Sequence, residues 1–287
     1  MAEHRTDDQT VNQAVKRSVY SALAEVNTRN EAAAFCVIVS SRGSTPRHTS
    51  SKMVVYPDGS IEGTVGGGEL ENRVIAEALD AIREGAPRLL KYNMADPSRG
   101  DPGVCGGQVE IFVDPVLPKP TLLVIGIGHV GQEVAHLAKW LGFHVVISDD
   151  RPEFSNQEVV PDADEALPFP MAEIPQHLKI TPWTYIVLTT RGVDVDAAGL
   201  PALLNTEAAY IGVIGSRRRW ETSRKKLAAA GLSDEQIGRV RSPIGLELNA
   251  ETPREIAVSI LAEIIMLRNG GDGSVMDAAS GRKAAGG

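Results

Sequence analysis

The stretch Thr121-Leu-Leu-Val-Ile-Gly126-Ile-Gly128-His129-Val-Gly131 gathers what a phosphate group needs. Apolar and β-branched residues run into a G-x-G-x-x-G, a helical pattern follows, and a second apolar run, His144-Val-Val-Ile-Ser148, ends in Asp149 and Asp150. Strand, glycine turn, helix, strand and acid in this order predict a dinucleotide-type βαβ unit. Gly126 permits the tight turn, Gly128 lets a ligand approach the backbone, and Gly131 lets the helix pack against the strand. The helix start offers N–H groups and the positive end of a dipole to a phosphate. Asp149 is the expected ribose ligand if the anion is a nicotinamide dinucleotide, and Arg151 beside it would soften discrimination against a 2′-phosphate. His129 either faces the ligand or caps the helix start.

Four other segments carry chemistry, each with a plainer reading beside it. Arg42-Gly43-Ser44-Thr45-Pro46-Arg47 offers guanidinium forks and hydroxyls suited to a phosphate or a heterocycle edge; otherwise it is a polar loop. Gly66-Gly67-Gly68 precedes a helix and predicts a second anion-binding turn, against the alternative of a close-packed one. Cys105, before Gly106 and Gly107 in a Pro- and Gly-rich loop, is the candidate reactive or metal-contacting thiol, or a spectator. Ser216-Arg217-Arg218-Arg219 follows a strand; cations there oppose the helix dipole, which argues for an anionic ligand over a merely solvated turn. His136 and His144 lack metal-ligand spacing, so no zinc site is expected, and no hydrolytic motif stands out.

Positioning these residues takes two domains. With 287 residues the chain exceeds the usual single-domain size. Residues 1–117 read as an α+β domain: a helix over about Thr10 to Asn27, a strand Ala33 to Val39, a hairpin turning at Asp58-Gly59, a helix from Glu69 to Glu84 stopped by Gly85, and strands near Leu89 to Asn93 and Gln108 to Val113. Asp114-Pro-Val-Leu-Pro-Lys-Pro120 reads as a stiff linker. Residues 118–270 read as a Rossmann-like parallel-sheet domain, with strands at Tyr185 to Thr189 and Ala209 to Ile214 and a helix near Val195 to Leu204. Capping boxes stand at Ser233-Asp-Glu-Gln236 and Thr252-Pro-Arg-Glu255, the second opening a helix to about Arg268. Residues 271–287 are expected to be a disordered tail. The fold class is thus α/β, an N-terminal α+β domain followed by a Rossmann-like one. A net charge of −8 disfavours a general nucleic-acid binder, no apolar run reaches membrane-spanning length, and two cysteines make no disulfide framework, so the expected home is the cytoplasm.

Taken in order, Arg42-Gly-Ser-Thr-Pro-Arg47, Lys52-Met53, Gly63-Thr-Val-Gly-Gly-Gly68, Leu70-Glu71, Cys105-Gly-Gly107, Gly126-Ile-Gly-His-Val-Gly131, Asp149-Asp-Arg-Pro-Glu-Phe154, Thr190-Arg-Gly192, Ile211-Gly-Val-Ile-Gly-Ser-Arg-Arg218, Ser242-Pro-Ile-Gly-Leu246 and Ala250-Glu-Thr-Pro253 resemble the XdhC/CoxI family of xanthine dehydrogenase accessory (maturation) factors. The resemblance implies a chaperone that binds the molybdopterin form of the molybdenum cofactor, supports its sulfuration by a cysteine desulfurase, and delivers it to a molybdenum hydroxylase apoenzyme. It implies an accessory factor rather than an enzyme, and a homodimer. The candidate cofactor-binding residues are then Arg42, Ser44, Gly66, Gly67, Gly68, Gly106, Gly107, Gly126, Gly128, His129, Gly131, Asp149, Ser216 and Arg217, with Cys105 as a contact to molybdenum. Two departures fall in ligand loops: His48-Thr-Ser-Ser51, where the family has a glycine and a small residue before the lysine, and Val193, where a His is usual. The residues also admit an NAD(P)-dependent oxidoreductase or a nucleotide-sensing module, although no Lys/Tyr proton-donor pair is evident.

Overall fold

The computed structural model describes residues 18–45, 49–95, 98, 100–103 and 105–276. The chain divides after Pro118 into two compact units.

The first unit carries α1 (Val19–Thr28), β1 (Ala33–Arg42), β2 (Lys52–Val55), β3 (Ile61–Gly63), α2 (Gly68–Glu84), β4 (Arg88–Asn93) and β5 (Gln108–Val116). Ser18 caps α1 by accepting the Ser21 N–H, which fixes the helix start; the expected portion over residues 10–17 lies outside the described residues. The strands form an antiparallel sheet in the order β3-β2-β1-β5-β4. Alternation along β1 sends Ala33 and Phe35 to the side that α1 covers, with Ala22, Val26 and Val54, and sends Cys36 and Ile38 to the opposite side. Strand β5 runs three residues into the segment read as a linker. Its Pro115 is accommodated because β4 has already ended at the Arg88–Val113 pair, so one side of β5 carries no ladder there.

The second unit carries β6 (Thr121–Ile125), α3 (His129–Trp140), β7 (His144–Ser148), β8 (Glu165–Leu167), α4 (Ile174–His177), β9 (Thr184–Leu188), α5 (Val193–Leu204), β10 (Tyr210–Val213), α6 (Arg217–Ala229), α7 (Asp234–Gly238), β11 (Val240–Arg241) and α8 (Pro253–Arg268). All its strands are parallel, in the order β11-β10-β9-β6-β7-β8. The near-continuous apolar runs of β6, β7 and β9 follow from burial on both faces. Val134, Ala135 and Ala138 of α3 and Ile260 and Ile264 of α8 fill one face; Leu200 and Leu203 of α5 and Leu227 of α6 fill the other. Both predicted capping boxes form, at Ser233–Gln236 and Thr252–Glu255. Sequence order reverses between β6 and β9, so the switch point that open α/β sheets use for ligands lies at their carboxyl ends. Gly271 to Met276 carry no helix or strand, and the rest of the tail lies outside the described residues.

Candidate functional site

In the second unit, the predicted site residues all follow the carboxyl ends of strands. Gly126 through Gly131 follow β6, Asp149 follows β7, Thr190 through Gly192 follow β9, and Ser216 and Arg217 follow β10. The three fingerprint glycines differ in how far the fold requires them. Gly126 has φ +98°, and a Cβ there would stand 2.8 Å from the Thr189 carbonyl group. A Cβ on Gly131 would collide with the Gly126 carbonyl. A Cβ on Gly128 would meet no atom within 4 Å, so the chain's own packing does not require glycine at that position. Gly128 is the N-cap of α3, with no side-chain cap, and the first turn of α3 contains no acid. His129 is the first residue of that helix and is exposed.

Asp149, the expected ribose ligand, is engaged by the chain's own donors. It is 3 % exposed, and its Oδ2 accepts the Ile127 N–H inside the glycine turn at 2.6 Å. Its Oδ1 accepts the Arg151 N–H at 3.0 Å, and the guanidinium donates from Nε at 2.9 Å and from Nη2 to Oδ2 at 3.2 Å. Burial alone would raise the Asp149 pKa. The Arg151 guanidinium and the Ile127 and Arg151 N–H groups outweigh it and hold the carboxyl below the usual range. Arg151, expected to temper 2′-phosphate discrimination, is instead spent on Asp149, and its guanidinium stacks on Phe154 at 3.8 Å.

The loop after β9 is tied to the start of α6. Arg219 donates to the Thr190 carbonyl at 3.1 Å, to Thr190 Oγ1 at 3.0 Å and to the fully buried Asp196 at 2.7 Å, and Thr190 also bonds Asp196. Ser216 caps α6 by accepting the Arg219 N–H, which leaves Arg217 and Arg218 exposed on its first turn. The ends of β6 and β10 are two strand spacings apart, about 10 Å. Val193, the family departure, is the first residue of α5.

In the first unit the candidates gather at one end of the antiparallel sheet. Arg42 pairs in register with Gln108, Asn93 also pairs with Gln108, and Met53 pairs with Gly63. The Arg42 loop and the Cys105 loop, distant in sequence, touch. A Cβ on Gly43 would lie 3.1 Å from the Gly107 Cα, and one on Gly107 would stand 2.7 Å from the Arg42 carbonyl oxygen. Met94 holds the second loop by accepting the Gly106 N–H at 2.6 Å and donating to the Gly107 carbonyl at 2.8 Å. Cys105, Arg42 and Ser44 are all exposed, whereas Cys36 is buried and its thiol is pushed up to about 12 by desolvation, which makes it inert. Arg47 and His48 lie outside the described residues.

At Gly66 through Gly68, the second expected anion-binding turn, the chain places an acid of its own. Glu71, in the first turn of α2, accepts the Thr64 hydroxyl, the Val65 N–H at 3.2 Å and the Gly67 N–H at 3.3 Å, so the chain supplies its own carboxylate there. Residue type alone does not mark Glu71 or Asp196 as working residues, and Arg219, in the segment read as anion-binding, is engaged by Thr190 and Asp196. For Glu71 the available signal is an acid placed to follow a glycine run at a helix start.

Among the described residues no cluster of histidine, cysteine and acid groups could hold a metal, and no helix is long and apolar enough to cross a membrane. His136 instead meets Asp162 at 2.6 Å and His144 meets Glu165 at 2.8 Å.

Comparison with known proteins identifies two segments. Residues 122–264 match the XdhC Rossmann domain, and residues 27–93 match the XdhC and CoxI family. The chain is 36% identical over 261 residues to the uncharacterized protein YqeB of Escherichia coli (strain K12), covering 90% of this chain and 48% of that one. It is 31% identical over 158 residues to a probable xanthine dehydrogenase subunit of Bacillus subtilis (strain 168), covering 55% of this chain and 46% of that one. The chain thus spans about half the length of both relatives. It is 22% identical over 302 residues, 88% of each chain, to the molybdenum cofactor insertion chaperone PaoD of Escherichia coli (strain K12).

Proposed function

The chain belongs to the XdhC and CoxI family, and from that premise we propose that it binds the molybdenum cofactor as cargo and delivers it to a xanthine-dehydrogenase-type molybdenum hydroxylase apoenzyme. The observation that carries the reading is the start of α3: a helix end without an acid in its first turn, at the sheet's switch point, with open space where a Cβ of Gly128 would stand. A phosphate of the cargo is held there by backbone N–H groups. The exposed Arg217 and Arg218 add positive charge at the same edge of the sheet. In the first unit, Arg42 and Ser44 offer donors beside the Cys105-Gly106-Gly107 loop, and the Cys105 thiol is a soft ligand suited to molybdenum.

On this reading the chain is an accessory factor of the cytoplasm and acts as a homodimer. A cysteine desulfurase supplies sulfur to the bound cofactor before transfer. The relatives named for xanthine dehydrogenase and for molybdenum cofactor insertion support the choice of acceptor class. The test is a fluorescence titration of the purified protein with molybdopterin, with NAD(H) and NADP(H) as competitors. Tight molybdopterin binding undisturbed by the nucleotides is the expected result; nucleotide binding without molybdopterin binding would overturn the proposal.

A further inference from the structure

We propose that Arg151 is a specificity-determining residue: by capping the Asp149 carboxylate it removes the ribose acceptor from the glycine-turn site and so excludes NAD from a fold otherwise shaped to accept it. A carboxylate has about four acceptor positions on its two oxygens. Asp149 receives four N–H donors, from Ile127, the Arg151 backbone, Arg151 Nε and Arg151 Nη2. Its side chain is 1% exposed, whereas the Arg151 side chain that covers it is 27% exposed. The cap is held from both sides, by Asp149 and by the Phe154 ring.

The consequence follows from which bonds belong to the backbone. Without the guanidinium, Oδ2 keeps the Ile127 N–H and Oδ1 keeps the Arg151 N–H. Each oxygen then has one acceptor position to spare, which is what the vicinal 2′- and 3′-hydroxyls of a ribose require. With the guanidinium in place those hydroxyls would displace a charged bidentate partner or go unpaired. A phosphate seated at Gly128 needs nothing from Asp149, so the cap rejects dinucleotides by their ribose and leaves phosphate recognition intact.

The experiment is calorimetric titration of NAD+ into the full chain and into Arg151→Ala and Arg151→Met. The methionine keeps an apolar stem against Phe154 should alanine fail to fold, and circular dichroism melts check both. No saturable binding by the unaltered protein is expected. In the variants NAD+ affinity should rise by roughly tenfold or more, the worth of hydrogen bonds regained by a charged acceptor. Adding Asp149→Asn to Arg151→Met should abolish the gain. Inorganic pyrophosphate, which has no ribose, should bind all four proteins alike. NAD+ binding by the unaltered protein as tight as by the variants would overturn the proposal, and so would folded variants that gain nothing. Molybdopterin is not a reagent in this test, so it stands or falls separately from the cargo reading.

Discussion

Gly66 through Gly68 and Gly126 through Gly131 each lead a strand into a helix, and both satisfy the same expectation of an anion cradle. Their surroundings differ. The Gly66 turn is filled by Glu71, whose carboxylate gathers the Val65 and Gly67 N–H groups and the Thr64 hydroxyl. At the Gly126 turn the chain's own acid, Asp149, reaches only Ile127, before the helix begins, and α3 starts without an acid in its first turn. Both acids bond N–H groups ahead of the helix; the difference is that the first turn of α2 carries Glu69 and Glu71, whereas that of α3 carries no acid. On the proposed reading, only the start of α3 takes the cargo phosphate.

The sharpest way to break the contrast is through Gly131 and Glu71. Gly131→Ala drives a methyl into the Gly126 carbonyl and should destabilise the protein by about 3 kcal/mol, the upper range for overpacking, with loss of cargo binding. Thermal and denaturant unfolding would show it, and an unchanged melting midpoint would sink the close-packing account. Glu71→Ala strips the first turn of its anion and should cost about 2 kcal/mol, because half-buried N–H donors lose their partner. If the cargo phosphate is held at α3 as proposed, its molybdopterin affinity should stay within a factor of about two. A large loss of affinity with unchanged stability would reverse the roles of the two turns.

Much of this contrast is legible in the sequence, and the part that is not has physical reasons. The Gly126 unit is readable because each of its parts constrains the next: β6 and β7 are continuously apolar, the glycines are spaced for a turn, and an acid follows. The α8 start is readable from Thr252, Pro253 and Glu255, which form the expected box. Strand β8 escapes a sequence reading because Glu165-Ala-Leu167 is too short to show a period. The Arg42 and Cys105 loops each stand out, but their contact depends on the pairing of β1 with β5, which no local pattern reveals. The commitment of Asp149 to Arg151 is equally hidden. An acid after the second strand reads as a ribose ligand until its side-chain partners are known.

Smaller effects sharpen the account further. Asp149 has its pKa lowered in the folded chain, so its contribution to stability is complete above the unfolded carboxylate value of about 4 and is lost as pH falls through the folded value. Unfolding followed from pH 5 downward, in steps, should show a shallower loss for Asp149→Asn than for the unaltered protein; parallel curves would exclude Asp149 as a strut of the turn. Exposed cations should matter least. Arg217→Ala and Arg42→Ala should each weaken molybdopterin retention by a few-fold, about 1 kcal/mol or less, with no change in melting midpoint. Unaltered retention in both variants would remove them from the binding surface.

The central claim is that the cargo phosphate sits at the start of α3 and not at the start of α2. Molybdopterin titration of Gly128→Val beside Glu71→Gln tests it most directly. The Cβ of a valine at Gly128 would meet no neighbour, so the variant should lose no more than the roughly 1 kcal/mol that an aliphatic residue costs at an N-cap, while affinity falls by roughly tenfold or more. Glu71→Gln should bind as the unaltered protein does. Affinity retained by Gly128→Val and lost by Glu71→Gln would contradict the assignment.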